Sequence, residues 1–360
     1  MSIDIPRPGP RTNDTPTDPV RIAVVGLGYW GPNLVRNLQE QPLAELMAVC
    51  DRREDALAKT GARYPGLRLT TELDEILADD EIEAVAIATP VSTHHPIASA
   101  ALAAGKHVFV EKPLAGSTSE ALDLVRRADR AGRLLMPGHT FLYSPAVNCI
   151  RDLLQAGELG DIYFISMSRV NLGLHQRDAS VAWDLGPHDF SILQYWLGMT
   201  PRYVSATSRG CVFPSVADVA FISLEYGDGV ISHVELSWLA PSKLRRTTIV
   251  GSKKMLVYDD TSNEPVRLFD SGVQMRPPES FGEYNLTYRS GDILSPHVPA
   301  AEPLLLEMGD FCEAIRLGME PRSSRDLGVE VVRMIEAVDS SLGNRGARIV
   351  LQPHVLAAAA

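Results

Sequence analysis

The sequence has few cysteines, no long apolar run and no secretion signal. Its four cysteines are far apart, with no C-x-x-C pair and no spacing typical of metal ligands, so we expect reduced, partly buried thiols and no metal site. No apolar stretch approaches about 18 residues, which predicts no membrane span. The start, MSIDIPRPGPRTNDTPTDP, lacks an apolar core segment, so we expect a cytoplasmic protein.

Basic residues are outnumbered by acidic ones: 34 Lys and Arg against 45 Asp and Glu give a formal net charge of -11. This deficit argues against general affinity for nucleic acid or anionic membranes, although a nucleotide-sized anion needs only local positive charge. The chain of 360 residues is 45% hydrophobic, which is enough for two domains with separate cores.

A glycine-rich turn follows the first apolar run. The segment IAVVGLGYWG places Gly26, Gly28 and Gly31 in a G-x-G-x-x-G pattern between a strand pattern and a helix pattern, and Asp51 ends the next apolar run about 20 residues later. Gly26 permits the tight turn, Gly28 admits a pyrophosphate, and Gly31 lets the helix pack on the strand. The pattern predicts a dinucleotide site in which Tyr29 and Trp30 belong to the binding turn.

Asp51 bears on which nucleotide is bound. A carboxylate at the end of the second strand accepts hydrogen bonds from the ribose hydroxyls and repels the extra phosphate of NADP, so NAD is favoured. Arg52 and Arg53 work against this inference, because a guanidinium beside the ribose is the usual partner of a 2′-phosphate. If NAD is bound and there is no 2′-phosphate to contact, Arg52 is expected to lie against the adenine or to be solvated.

Three regions follow from the hydrophobic patterns. Residues 1–19 are rich in Pro, Asp and Thr and are predicted to form a flexible arm. Residues 20–145 alternate strand and helix patterns, which predicts an N-terminal α/β domain with the parallel sheet of a Rossmann fold. Residues 146–360 contain successive strand patterns with short turns, which predicts an α+β domain with a mostly antiparallel open sheet.

Within the second domain we expect helices at 146–155, 181–197, 304–317 and 326–342. Residues 260–300 contain several prolines and glycines and are predicted to be a long irregular excursion, used for binding or for an oligomer contact.

Two candidate segments end parallel strands, where an open α/β sheet binds its ligand. In ATPVSTHHP, Thr89 and Pro90 form the loop nearest the dinucleotide, and His94 can reach the same cleft; an ordinary turn with solvated histidines is the alternative. In AGKHVFVEKPLA, Glu111 and Lys112 end a buried strand. A lysine there can stabilise negative charge on a reacting hydroxyl, whereas the alternative is a solvated charge pair.

The third segment is WDLGPHD. Asp184 and His188 share one face of a helix, and a carboxylate on one imidazole nitrogen raises the basicity that a general base needs. A surface pair, a buried structural histidine, and a helix that starts only near Pro187 are the alternatives.

Together these segments resemble the glucose-fructose oxidoreductase and inositol dehydrogenase family (Gfo/Idh/MocA), from residue 20 onward. The resemblance implies that Lys112, Asp184 and His188 form the catalytic set. It also implies that Thr89, Pro90, His94 and Glu111 line the cofactor cleft, and that the second sheet packs against another subunit in a homodimer or homotetramer.

A narrower likeness is to the nucleotide-sugar 3-dehydrogenase branch, which acts on UDP-N-acetylglucosamine or its uronate. It is carried by GYWGPNLVRN, GHTFLYSPAV, WDLGPHD and SWLAPSKLRRTTIVGSKKMLVYDD, although Ser180 and Gly186 depart from that branch's pattern. Candidate substrate contacts are the polar residues Arg169, Asn171, Arg177, Lys243 and Arg245 and the aromatic residues Tyr143 and Trp183, with solvated charges and core packing as the alternatives.

The sequence therefore predicts an NAD-dependent oxidoreductase that acts on a secondary hydroxyl of a sugar. The alternatives are a dehydrogenase of an inositol or an aminoglycoside sugar and a non-catalytic NAD-binding regulator.

Overall fold

The computed structural model describes residues 18–173, 175, 179–275 and 286–352, so the predicted arm at 1–19 lies outside the described residues except for its last two. These residues divide into two compact units. The first comprises 18–144 with Ala301–Arg333, and the second comprises Pro145–Ala300 with 334–352. Along the chain the division falls between residues 144 and 145, and residues 301–333 group with the first unit.

The first unit contains a parallel sheet of six strands in the order β3-β2-β1-β4-β5-β6, the doubly wound order of a Rossmann fold. Its elements are β1 Val20–Val25, α1 Gly31–Glu40, β2 Ala44–Cys50, α2 Glu54–Arg63, β3 Arg68–Thr70, α3 Leu73–Leu77, β4 Ala84–Ile87, α4 His94–Ala103, β5 His107–Glu111, α5 Thr118–Ala131 and β6 Leu135–Gly138. The central strands are continuous apolar runs because both faces of the sheet are covered.

The strand register brings three loops to one edge of this sheet. Val25 pairs with Ile87, and Ile87 pairs with Val110, so β1, β4 and β5 end side by side. The residues that follow these strands therefore lie along the carboxyl edge, where doubly wound sheets bind their ligands.

The second unit contains nine strands in the order β14-β13-β12-β11-β7-β10-β9-β8-β15. Its elements are α6 Pro145–Gln155, β7 Ile162–Val170, α7 Val181–Leu197, β8 Tyr203–Arg209, β9 Val219–Glu225, β10 Ile231–Ser237, β11 Leu244–Gly251, β12 Met255–Asp259, β13 Val266–Met275, β14 Leu286–Leu294 and β15 Ile349–Val350. Neighbouring strands are antiparallel except β7 and β10, which are parallel. The predicted α+β architecture is confirmed.

The prediction of an irregular excursion over residues 260–300 was wrong. Strands β13 and β14 lie there and pair in antiparallel register from Leu268 with Leu294 to Met275 with Leu286. The strands escaped prediction because β14 is at the edge of the sheet and is largely exposed, so it lacks the apolar alternation of a half-buried strand.

Two C-terminal helices complete the described fold, α8 Pro303–Leu317 and α9 Arg325–Gly343. The contacts of α8 explain its place in the first unit: Gln41 donates to Leu305 O at 2.9 Å, and the rings of Phe109 and Phe311 pack edge to face at 5.8 Å. Among the described residues, no helix is long and apolar enough to cross a membrane.

Candidate active site

The glycine turn after β1 has the geometry that a dinucleotide requires. Gly26 has a φ of 99°, and a Cβ there would lie 2.7 Å from Ala88 O, while a Cβ on Gly31 would lie 2.0 Å from Gly26 O. At Gly28 the nearest atom to an added Cβ is 3.9 Å away. Gly26 and Gly31 are therefore required by the turn itself, whereas the surface at Gly28 is open to a ligand.

Asp51 is held against this turn. Its Oδ2 accepts a hydrogen bond from Leu27 N at 2.5 Å, and its Oδ1 accepts one from Arg53 N at 2.8 Å. Burial favours the protonated carboxyl, but these bonds and the nearby Arg53 guanidinium outweigh it and lower the pKa of Asp51. Asp51 is thus held as a carboxylate against the turn.

Arg53, rather than Arg52, is the cation that contacts Asp51. The Arg53 guanidinium lies 3.3 Å from Asp51 Oδ1 and donates to Leu27 O at 2.7 Å, and both Arg52 and Arg53 are exposed. Of the other two residues in the turn, Tyr29 is 85% exposed and Trp30 is partly buried, with their rings stacked at 6.5 Å.

The β4 loop is fastened by a histidine. His94 is buried, and its ring nitrogens lie 2.9 Å from Pro113 O and 2.9 Å from Thr89 O. Burial lowers the pKa of His94, although the two carbonyl contacts act in the opposite direction; because a carbonyl oxygen only accepts, a neutral ring can donate its single N–H to one of the two at a time. His94 therefore joins the β4 loop to the loop after β5. Pro90 is exposed at the head of a short 3-10 turn, and Thr89 receives a hydrogen bond from Thr93 Oγ1 at 2.8 Å.

Lys112 follows β5 at the same edge of the sheet and is partly buried. The Lys112–Pro113 peptide bond is cis, a geometry that the sequence allowed. Glu111 precedes Lys112 and is only 7% exposed, and its Oε2 accepts a hydrogen bond from Lys112 N at 3.2 Å.

In the second unit, helix α7 is continuous from Val181 to Leu197 through Gly186 and Pro187. Asp184 and His188 therefore occupy one helix four residues apart, and the alternative of a helix that starts near Pro187 is wrong. Both side chains are partly buried.

Trp238, which follows β10, holds Asp184 in place. Its indole Nε1 donates a hydrogen bond to Asp184 Oδ2 at 3.1 Å. The ring of His175 packs edge to face on Trp238 at 5.5 Å, and His175 Nε2 lies 3.8 Å from Asp218 Oδ2. Asp218 is itself fixed by hydrogen bonds from the backbone of the loop that follows β8.

Several predicted substrate contacts have other partners. Tyr143 is buried and donates to Asp310 Oδ2 at 2.7 Å, which matches core packing rather than ring stacking. Arg169 is buried in a bidentate pair with Asp189, at 2.7 and 2.9 Å. Trp183 donates to Asp339 Oδ2 at 2.6 Å.

The remaining candidates are closer to solvent. Lys243 is exposed, and Arg245 forms an ion pair with Asp260 at 2.9 Å. Asn171 is partly buried, and its backbone N donates to Ser237 O at 3.1 Å. Arg177 lies outside the described residues.

Sequence reasoning missed Arg53 as the partner of Asp51, Trp238 as the partner of Asp184, and the buried residues His139 and Glu307. A guanidinium next to the acidic residue was a usable signal for Arg53. No sequence signal identifies the others, because each contacts residues that are far away in the sequence and are brought close only by the fold.

All four cysteines are free, with Cys211 exposed, and the described residues contain no cluster that could hold a metal ion.

Comparison with known proteins gives the same picture. Residues 20–139 match the oxidoreductase family described as having an NAD-binding Rossmann fold, and residues 147–257 match the GFO/IDH/MocA C-terminal domain. The chain is 26% identical over 344 residues to 4-carboxy-2-hydroxymuconate-6-semialdehyde dehydrogenase of Sphingobium sp., covering 91% of this chain and 100% of that protein.

Two solved structures are also similar. GenD2 from gentamicin A biosynthesis, in complex with NAD, has a TM-score of 0.79 at 27% identity, covering 93% of this chain and 97% of that one. UDP-N-acetylglucosamine 3-dehydrogenase GnnA from Acidithiobacillus ferrooxidans has a TM-score of 0.75 at 25% identity, covering 90% and 97%. With the glycine turn and the fixed Asp51 carboxylate, these matches show that the chain belongs to the Gfo/Idh/MocA family of NAD-binding oxidoreductases.

Proposed function

We propose that the protein oxidises a secondary hydroxyl of a sugar or reduces the corresponding ketone. The hydroxyl that we propose is the one at C3 of a nucleotide-linked sugar. The observation that carries this proposal is the unbroken helix α7, which keeps Asp184 and His188 on one face, together with the tryptophan that fixes Asp184. A carboxylate and an imidazole so arranged supply a general base for a hydroxyl proton.

Three residues have distinct tasks in this proposal. His188 accepts the hydroxyl proton, and Asp184 supports the imidazolium that forms. Lys112 donates a hydrogen bond to the same oxygen and stabilises its developing negative charge. Gly26, Gly28, Gly31 and Asp51 would hold NAD, which would supply the hydride acceptor that the oxidation needs.

The choice of sugar is supported by the relatives. GnnA is named for a nucleotide sugar, and GenD2 belongs to the biosynthesis of gentamicin A, so an aminoglycoside sugar is the second candidate. Inositol 2-dehydrogenase 2 of Saccharopolyspora erythraea is 30% identical over 226 residues, which cover 60% of this chain and 66% of that protein, and it makes a free polyol the third candidate.

A substrate panel tests the proposal. Purified protein is supplied with NAD and, in turn, with UDP-linked sugars, aminoglycosides and inositols, while formation of NADH is followed by its absorbance. We expect the highest kcat/KM with a nucleotide-linked sugar. A higher kcat/KM with an inositol or an aminoglycoside would assign the substrate to that class. No turnover with any of these compounds would favour the alternative of a non-catalytic NAD-binding regulator.

Variants test the assigned residues. His188→Ala should lower turnover by roughly a hundredfold or more while NAD affinity is retained, since general acid-base catalysis typically contributes that factor. Lys112→Ala should also lower turnover, because charge stabilisation at the oxygen is lost. Lys59→Ala, at an exposed lysine of α2, is the matched control, and this variant should keep the turnover of the wild type. Near-normal turnover in either active-site variant would remove that residue from the reaction.

A further inference from the structure

The side chains of Arg53 and Asp51 form a closed hydrogen-bonded ring with the glycine turn. Asp51 Oδ2 accepts a bond from Leu27 N at 2.5 Å, and Asp51 Oδ1 accepts one from Arg53 Nε at 3.3 Å. Arg53 Nη2 completes the ring by donating to Leu27 O at 2.7 Å. Both backbone polar groups of Leu27 are therefore bonded to this pair, although the two partners lie 24 and 26 positions further along the chain.

The backbone of Arg53 is anchored independently of its side chain. Arg53 N donates to Asp51 Oδ1 at 2.8 Å. Arg53 O accepts bonds from Ala56 N and Leu57 N, both at 3.2 Å, in the first turn of α2. Every residue type except proline has the N–H and C=O groups that make these bonds. A substitution at position 53 thus removes the guanidinium contacts and leaves the backbone contacts of the loop in place.

The ring leaves Asp51 able to bind one further donor. A carboxylate has about four lone-pair positions, two on each oxygen. Leu27 N, Arg53 N and Arg53 Nε occupy three of them, so one position on Oδ2 remains for a ribose hydroxyl. A carboxylate that is already held in one orientation binds such a hydroxyl without first losing side-chain freedom, which favours affinity.

The same contacts argue against the usual role of a guanidinium beside this ribose, which is to bind the 2′-phosphate of NADP. To turn toward a phosphate, Arg53 would give up its bonds to Leu27 O and to Asp51 Oδ1. The loss of both bonds would offset part of the free energy gained from the phosphate. The negative charge of Asp51 would also remain close to the phosphate and repel it.

We propose that Arg53 is a positioning residue for Asp51 and favours NAD over NADP, through the fork of its guanidinium rather than through its charge alone. A lysine carries the same charge but has all its donors on one atom, so it does not reproduce this fork. The inference rests on the dinucleotide site of the proposed function and is independent of the sugar and of the residues that act on it.

Calorimetric titration of the nucleotide-free protein with NAD and with NADP tests the role of the fork. Arg53→Lys should raise the Kd for NAD roughly fivefold, the effect of about one hydrogen bond, and should change the Kd for NADP by less than about twofold, because NADP gains less from the carboxylate. Arg130→Lys, at an exposed arginine of α5, is the matched control and should change neither Kd. An unchanged Kd for NAD in Arg53→Lys would overturn the proposal, as would a larger loss for NADP than for NAD.

Arg53→Gln separates the fork from the charge. This variant removes both, and we expect it to weaken NAD binding by roughly the same fivefold factor as Arg53→Lys. A loss of NAD affinity that is confined to Arg53→Gln would assign the effect to the charge and would contradict the role of the fork. Thermal unfolding of each variant without nucleotide checks that the fold is kept.

A double-mutant cycle tests whether Arg53 acts through Asp51. In the Asp51→Ala background, Arg53→Lys should change the Kd for NAD by less than about twofold, because no carboxylate is left to orient. A fivefold loss in that background as well would mean that Arg53 acts without Asp51, and would refute the positioning role.

None of these titrations uses turnover, so a failed substrate panel would not be confused with failure here. A wild type that binds neither nucleotide would contradict the dinucleotide site itself and this inference with it.

Discussion

At the residue scale, Asp51 has two tasks: it contacts the glycine turn, and it is the predicted acceptor for the ribose hydroxyls. Its carboxylate accepts a hydrogen bond from Leu27 N in the glycine turn, and its lowered pKa favours the charged form that we expect to bind the ribose. Asp51→Ala should therefore weaken NAD binding and narrow the preference for NAD over NADP, because a ribose acceptor and a repulsive charge are both lost. Calorimetric titration with each nucleotide measures this, with Asp80→Ala, at an exposed aspartate outside the site, as the control. Tighter binding of NADP than of NAD by the wild type would contradict the assignment.

Asp184 offers a second test at this scale. Asp184→Asn should keep the geometry but reduce the basicity of His188, so turnover falls and the acid limb of the pH-rate profile moves to lower pH. Trp238→Phe removes the indole donor to Asp184 and should lower turnover by roughly fivefold, the effect of one hydrogen bond. Turnover and the pH-rate profile of each variant are measured with a verified substrate and compared with those of the wild type. An unmoved acid limb in Asp184→Asn would separate Asp184 from the histidine.

At the scale of elements, an ion pair joins α8 to the residue that precedes β4. Arg316 donates to both oxygens of Glu83, at 2.8 and 2.7 Å, and this guanidinium lowers the pKa of Glu83 to about 2. A carboxyl with a depressed pKa stabilises the fold above its unfolded-state pKa and loses that contribution as the pH falls toward 2.

Glu83→Gln should consequently lower the free energy of unfolding by ~2 kcal/mol at pH 7 and by progressively less below pH 4. Urea denaturation at several pH values checks both the size and the sign. Glu81→Gln, at an exposed site two residues away, serves as the control. A loss of stability that is independent of pH would mean that the charge of Glu83 is not its cause.

The elements also show how far sequence reasoning reaches. The Gly26 turn, Asp51 and helix α7 were predictable because their signals lie within a few residues or one regular period. The β13–β14 hairpin was not, since its edge strand has no buried face to impose alternation. The buried set of Glu111, His139 and Glu307 depends on strand register and on a helix almost 200 residues away, which no local pattern encodes.

At the scale of the whole molecule, one face of the nine-stranded sheet lacks a cover within the described residues. Phe164, Phe221 and Ile231 project from β7, β9 and β10 and are 40%, 44% and 54% exposed. Phe221 stacks with His233, and Ser168 donates to Glu235 at 2.8 Å on neighbouring strands. A broad surface that mixes exposed aromatic and polar residues is typical of a contact between subunits.

We expect this face to join two copies of the chain in a homodimer, or in pairs within a homotetramer, because a two-fold contact buries the same patch twice. Phe221→Arg combined with Ile231→Arg places two charges in the contact and should shift the protein to a monomer in size-exclusion chromatography with light scattering. Leu317→Arg, at an equally exposed apolar residue of α8, is the matched control and should leave the assembly unchanged. If the wild type itself runs as a monomer at micromolar concentration, the face serves another purpose and the assembly prediction is wrong.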